Sequence, residues 1–173
     1  MEPFGVPGAL GEVQALVRAA QRGDPAAMDE LVRALAPYVT RVCGAIALDR
    51  GDDAVQETFI AVLRNLRALR EPAALHGWVR RIAVREAVRA ARRDDHLVDV
   101  DAEAPARLPD LDAVLDVRAA LATLAPRQRA VLVLRDLDGL AEADVAELLA
   151  VPPGTVKSRL HRARAAVREV LAP

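Results

Sequence analysis

Aromatic side chains are scarce: Phe4, Tyr38, Phe59 and Trp78 make up 2% of the sequence. Four rings cannot furnish the core of an ordinary β-sandwich, nor line a groove that stacks single-stranded bases broadly. A single cysteine, Cys43, excludes an intrachain disulfide and fits a reducing compartment. No cysteines and histidines stand at zinc-site spacing. No Ser/His/Asp, Cys/His, carboxylate-pair or glycine-rich phosphate motif stands in a setting suited to catalysis. Neither a metal, a cofactor nor an enzymatic activity is expected. Arginine or an acid interrupts every alanine-rich stretch well before the roughly 18 apolar residues that a membrane span needs. Residues 1–11 carry Pro3, Gly5, Pro7 and Gly8 without a basic run or an apolar stretch, which reads as a flexible N-terminus rather than a targeting signal. A cytoplasmic protein without membrane insertion is expected.

What the chain does have is alanine and charge. It is 53% hydrophobic and 28% charged over 173 residues, and its alanine content favours helices packed closely. That length suits one domain or two small ones. The formal net charge of −1 conceals strong segregation. From Arg64 to Arg93 nine arginines face only Glu71 and Glu86, a net +7. From Asp94 to Asp116 eight acids face only Arg107, a net −7. From Leu148 to Arg168 there is no acid, and Lys157, Arg159, Arg162, Arg164 and Arg168 give +5. The expected fold is all-α. Residues 12–94 form one small helical domain, 95–111 an acidic linker, and 112–173 a second domain ending in a helix-turn-helix.

Helical punctuation is clear in the first half. A short helix over about Glu12 to Gln21 stops at Gly23, and Asp24-Pro25 supplies an N-cap acceptor followed by the residue best tolerated at the first helical position. The next helix carries Met28, Leu31, Val32, Leu35, Val39, Val42, Cys43 and Ile46 at steps of three or four, with Pro37 as an expected kink. Gly51-Asp52-Asp53 opens a third helix, with Val55, Phe59, Val62, Leu63 and Leu66 inward. Its outward side gathers Asp53, Gln56, Glu57 and Ile60, which suits either the helix dipole or a functional surface. Asn65 to Gly77 reads as a loop, and a further helix runs from about Trp78 to Arg93. Arg81, Arg85, Arg89 and Arg92 fall in one sector of that helix, away from Leu75, Val79, Ile82 and Ala83. The stripe repels itself and has no acid on it, so it suits the phosphates of duplex DNA, where each neutralised phosphate releases counterions.

Asp94 to about Asp112 contains Pro105 and Pro109 and no sustained apolar period, as a linker would. Beyond it, Pro126 starts a helix carrying Val131, Val133, Leu134 and Leu137, which Gly139 ends. Leu140 to Leu149 reads as a short helix with Val145, Ala146, Leu148 and Leu149 inward. Val151-Pro152-Pro153-Gly154 turns the chain, and a last helix starts at Thr155. This is the layout of a helix-turn-helix. Val156, Leu160, Ala163 and Val167 would anchor the last helix, leaving Thr155, Ser158, His161 and Arg162 to enter a major groove. Lys157 and Arg159 flank them at positions suited to phosphates.

The run Asp52-Asp53-Ala54-Val55-Gln56-Glu57-Thr58-Phe59, then Trp78-Val79-Arg80-Arg81-Ile82-Ala83, then Gly154-Thr155-Val156-Lys157-Ser158-Arg159-Leu160-His161-Arg162-Ala163-Arg164, resembles the extracytoplasmic-function group of bacterial RNA polymerase sigma factors. The similarity covers about Leu16 to Glu169. It implies a promoter-specificity subunit whose first domain binds core polymerase and the minus-10 element and whose second reads the minus-35 element. Carried across, Asp52, Asp53, Gln56 and Glu57 would bind polymerase. The loop from Asn65 to Gly77 would receive an unpaired promoter base beside Trp78. Arg81, Arg85, Arg89 and Arg92 would lie toward upstream DNA, and Thr155, Lys157, Ser158, Arg159, His161 and Arg162 toward the minus-35 duplex. An anti-sigma factor is a further implied partner.

The sequence departs from the family pattern at several positions. Arg85 and Arg89 replace a short polar residue and an acid, and Arg80 stands where an aromatic is common. Ala141 replaces a Ser or Thr helix cap, and Ala150 replaces a glycine in the turn. Two other readings remain open on the residues themselves: a stand-alone helix-turn-helix regulator, and a sigma-like interaction protein that does not touch DNA.

Overall fold

Asp24 shows how this sequence starts a helix. Its Oδ1 accepts hydrogen bonds from the backbone N–H groups of Ala26 (2.9 Å) and Ala27 (3.2 Å), capping the helix that opens at Pro25. The computed structural model describes residues 10–94 and 109–171, all helices and turns with no strand among them. In chain order these are α1 (Leu10–Gln21), α2 (Pro25–Ala47), α3 (Gly51–Asn65), α4 (Leu75–Asp94), α5 (Pro109–Ala122), α6 (Pro126–Leu132), α7 (Glu142–Leu149) and α8 (Pro153–Leu171). The chain divides into two compact units whose boundary falls within α4, between Ala87 and Val88, with the short stretch 45–48 grouped with the second unit.

The core of the first unit is largely aliphatic. Leu31, Leu35, Val39 and Val42 of α2, Val62 of α3, and Leu75, Val79 and Ala83 of α4 are all buried. Within 25–68 lies one stretch long and apolar enough, at mean hydropathy 1.4, to pass for a membrane span, contrary to the sequence reading. Its apolar residues are the ones the core uses: Leu31, Leu35, Tyr38, Val39, Val42 and Cys43 are buried. Close contact between α2 and α3 rests on two glycines. A Cβ at Gly51 would sit 3.1 Å from the Gly44 Cα, tighter than carbon atoms comfortably pack.

Cys43 is wholly buried, as its place on the apolar stripe implies. Its Sγ lies 3.7 Å from Thr58 Oγ1, which donates to the Ala54 carbonyl at 2.7 Å. Burial pushes the thiol pKa up to about 11, against a smaller opposing effect of the Thr58 hydrogen bond.

Three readings of this half need correction. The inward face of α3 is Ala54, Thr58 and Val62, with Val55 and Phe59 half-buried, while Leu63 is 41% exposed. Ile60 is half-buried rather than outward. The segment read as a loop holds two 3-10 turns, Leu66–Ala68 and Pro72–Ala74, and α4 begins at Leu75, so Gly77 lies inside a helix. Pro72 does not break the chain there, because at the first position of a helical turn its missing N–H has no bond to lose.

In the second unit α8 packs against α5, α6 and α7. α5 begins at Pro109, so residues 109–111 of the expected linker are already helical; the rest of that stretch lies outside the described residues. After α6 the backbone widens into a π-type turn over Val133–Leu137, where Asp138 N–H donates to Val133 O at 3.0 Å. Val133 and Leu134 are buried there, while Leu137 is 54% exposed. The two departures in the helix-turn-helix carry structural consequences. Ala141 precedes α7 with no side-chain cap, and Ala150 takes a left-handed conformation at φ 51°, where glycine would be unstrained.

Candidate polymerase-docking face and nucleic-acid interface

On α3 the inward turn of Ala54, Thr58 and Val62 leaves Asp52, Asp53, Gln56 and Glu57 exposed together on the first two turns. Asp53 is held by Arg50 Nη1 at 3.3 Å. The result is an acidic surface at a helix N-terminus, where acids also favour the helix dipole.

Residues 66–74 lie between α3 and α4. The larger apolar side chains, Leu66, Leu69 and Pro72, are buried, while Arg67, Arg70 and Glu71 are exposed along with Ala68, Ala73 and Ala74. Gln21, at the end of α1, donates through Nε2 to Leu66 O at 2.9 Å and to Leu69 O at 2.7 Å. Sequence reasoning missed this residue, because its partners lie more than forty positions away and an amide at a helix end carries no periodic signal. Trp78 follows on the first turns of α4, half-buried.

Along α4 the residues Arg81, Arg85, Arg89 and Arg92 are exposed, opposite buried Val79, Ile82, Ala83, Ala87, Ala90 and Ala91. The stripe is less unopposed than its sequence implies. Glu86 is turned inward, with a side chain 7% exposed, yet Arg85 Nε reaches its Oε1 at 3.0 Å. Arg80 stays off the stripe: its Nε donates to Tyr38 Oη at 3.1 Å, and Arg41 stands over the same ring at 5.5 Å from the centroid.

On α8, Val156, Leu160 and Ala163 are buried and Val167 is half-buried, which turns Lys157, Ser158, His161 and Arg162 outward. Thr155 and Arg159 sit half-buried at the edges. Ser158 Oγ donates to Thr155 O at 3.1 Å, and Arg162 Nε to Ser158 O at 3.3 Å, so both polar groups lie along the exposed ridge of the helix. Farther along, Arg164 binds Asp136 of the π-type turn through two hydrogen bonds, Nε to Oδ2 at 3.0 Å and Nη2 to Oδ1 at 2.5 Å. That pairing keeps the Arg164 guanidinium more firmly protonated. Beside it an apolar groove of about 340 Å³ is lined by Val117, Leu121, Leu132, Leu137, Val167 and Leu171. Among the described residues no cluster of three or more His, Cys, Asp or Glu side chains is placed to hold a metal ion.

Comparison with known proteins gives this geometry its family. The family model for Sigma-70 region 2 matches residues 31–96, and that for Sigma-70, region 4 matches residues 115–167. α1 lies outside both. The chain is 36% identical over 168 residues to the ECF RNA polymerase sigma factor SigE of Mycolicibacterium smegmatis, covering 87% of this chain and 65% of that longer protein. It is 32% identical over 185 aligned residues to the ECF RNA polymerase sigma-E factor of Haemophilus influenzae, covering 92% of this chain and 95% of the relative. Among solved structures, CnrH in complex with the cytosolic domain of CnrY shares the fold with a TM-score of 0.65 at 23% identity, over 91% of this chain and 96% of that one. The sigma factor RpoE in complex with the anti-sigma factor NepR from Bartonella quintana shares it with a TM-score of 0.61 at 24% identity, over 83% and 95%. Neither a stand-alone regulator nor a protein that avoids DNA gains support from this pairing of regions. With both sigma regions in order along one chain, and near full-length identity above 30% to a member, the protein belongs to the extracytoplasmic-function RNA polymerase sigma factors.

Proposed function

We propose that the chain docks on core RNA polymerase through Asp52, Asp53, Gln56 and Glu57 and directs it to promoters through two separate DNA-facing surfaces. Residues 12–94 act as the polymerase and minus-10 domain, the acidic stretch from 95 onward as a tether, and residues 112–173 as the minus-35 domain. The acids of the tether are repelled by DNA and suit a positively charged channel. Arg81, Arg85, Arg89 and Arg92 neutralise upstream phosphates, and the loop ahead of Trp78 receives an unpaired base. Thr155, Ser158, His161 and Arg162 read base edges in a major groove, while Lys157 and Arg159 grip its phosphates. The chain contributes no catalysis of its own, works in the cytoplasm beside polymerase, and is held in reserve by an anti-sigma factor.

The observation that carries this reading is the division of α8. Its buried line of Val156, Leu160 and Ala163 presents Lys157, Ser158, His161 and Arg162 outward behind a tight turn. Nothing about packing requires two cations, a histidine and a hydroxyl on that ridge. Free protein is expected to bind promoter DNA weakly and with steep salt dependence; core polymerase added to it yields sequence-selective binding. Equally tight, equally specific binding with and without polymerase overturns the reading.

A further inference from the structure

Gln21 joins α1 to a segment forty-five residues away. Its Nε2 carries two hydrogens, and two backbone carbonyls converge on it, Leu66 O at 2.9 Å and Leu69 O at 2.7 Å. Those carbonyls bracket the first 3-10 turn, which is otherwise closed by the Leu69 N–H bond to Leu66 O at 3.1 Å. After it the backbone runs extended, with Leu69 at φ −71°, ψ 98° and Glu71 at φ −111°, ψ 101°. A segment with so few backbone bonds of its own opens easily unless something else satisfies its polar groups. The Gln21 amide does so. α1 also packs against the second turn, Pro72–Ala74, so one helix supports both ends of the segment.

The brace leaves the outer side of the segment uncovered. Leu66, Leu69 and Pro72 point inward, while Arg67, Arg70 and Glu71 are exposed. We propose that Gln21 is a positioning residue for promoter-base selection, its amide fixing residues 66–74 in the shape that receives an unpaired base. This rests on the assignment of that loop to base capture made above. A base pocket discriminates only while its shape persists, and a loop ordered in advance loses less freedom on binding than one ordered by the base. α1 lies outside the stretch matched to region 2, so that match assigns no role to Gln21.

Chemistry narrows what can replace it. Glutamate has the length but no hydrogen to donate, and sets negative oxygen against two carbonyls. Methionine keeps the volume and loses both bonds. Gln21 is the last residue of α1, so either change leaves the buried Val17 and Ala20 contacts of that helix intact.

The test uses holoenzyme reconstituted with wild type, Gln21→Met, Gln21→Glu or the loop-face variant Arg67→Ala/Arg70→Ala. Each transcribes from a promoter library randomised across the minus-10 element, and amide hydrogen exchange is followed over residues 66–74. Both Gln21 variants are expected to bind core polymerase normally and to exchange faster in this segment. Their enrichment of the preferred base over the runner-up should fall roughly tenfold, the size expected from losing two hydrogen bonds. A loop-face variant that shifts base preference while the Gln21 variants do not overturns the brace and spares the base-capture reading. A loop-face variant that shifts nothing overturns base capture, and the brace with it. Uniform loss of transcription without loss of selectivity, or failure of both Gln21 variants to fold, also overturns it, since the proposal assigns Gln21 to the loop alone.

Discussion

Arg164 and Asp136 meet through two hydrogen bonds across twenty-eight residues, tying the last helix to the π-type turn that follows α6. The two side chains are 47% and 36% exposed, so solvent screens the pair and its contribution to stability is about 0.5 kcal/mol. A double-mutant cycle of Arg164→Ala and Asp136→Ala is expected to return that coupling at low salt and to lose most of it in high salt. A salt-independent coupling of several kcal/mol contradicts this account.

The turn of the helix-turn-helix offers a gain in stability. Ala150 sits at φ 51°, a conformation that costs an alanine about 1 kcal/mol and a glycine almost nothing. Ala141 leaves α7 without a cap, where serine or threonine is worth about 1 kcal/mol. Ala150→Gly and Ala141→Ser should each raise the thermal midpoint of the second unit by about 4–8 °C, read by differential scanning calorimetry. The two gains should add within error, since each acts on a different end of α7.

On α8 the proposed phosphate and base contacts predict different losses. Lys157→Ala should weaken binding to all sequences alike and reduce the slope of log affinity against log salt by about 0.9, as one lost phosphate contact does. Arg162→Ala should instead relax discrimination at particular minus-35 positions by about 1–3 kcal/mol. Holoenzyme titrations at several salt concentrations on matched and mismatched promoters separate the two. Identical profiles for both variants contradict the division.

Charge reversal on α3 tests the proposed docking face. Asp53→Lys with Glu57→Lys should lower affinity for core polymerase at least tenfold while leaving binding of the free chain to DNA unchanged or stronger. Both residues are exposed, so circular dichroism should show a folded protein.

The buried thiol sets an alkaline limit. Cys43 ionises at its ordinary value of 9.0 when unfolded and at about 11 when folded. The folded state holds its proton longer, so its stability is undiminished below the unfolded value and declines as pH climbs from there toward the folded one. Urea midpoints should drop between about pH 9 and about pH 11 by more in wild type than in Cys43→Ala. Iodoacetamide should label Cys43 only as fast as the unit opens.

Much of this was legible in the amino acids. Asp24 before Pro25 announced a helix start, and the step of Val156, Leu160 and Ala163 set which face of α8 looks outward. Family membership followed from three motifs in order. Leu63 misled because Val62 beside it is equally apolar, and only packing decides which of two neighbours on a helix faces inward. Thr58 is buried although polar, since its hydroxyl finds the Ala54 carbonyl one turn back. The 3-10 turns at Leu66–Ala68 and Pro72–Ala74 are too short to show a period. Gln21 was invisible for a related reason: its partners are backbone atoms, and a carbonyl leaves no trace in the identity of the residue that carries it.

Gly44 and Gly51 meet at the start of the helix that carries the acids of α3. Neither glycine bears any chemistry that a polymerase could recognise, yet a Cβ at Gly51 would press on the Gly44 backbone at 3.1 Å, and a larger side chain there would displace the start of α3, which carries Asp53 and Glu57. A genetic screen for silent alleles should therefore recover changes at Gly51 beside changes in the acids themselves. Such mutants would keep every recognition group and present it in the wrong place.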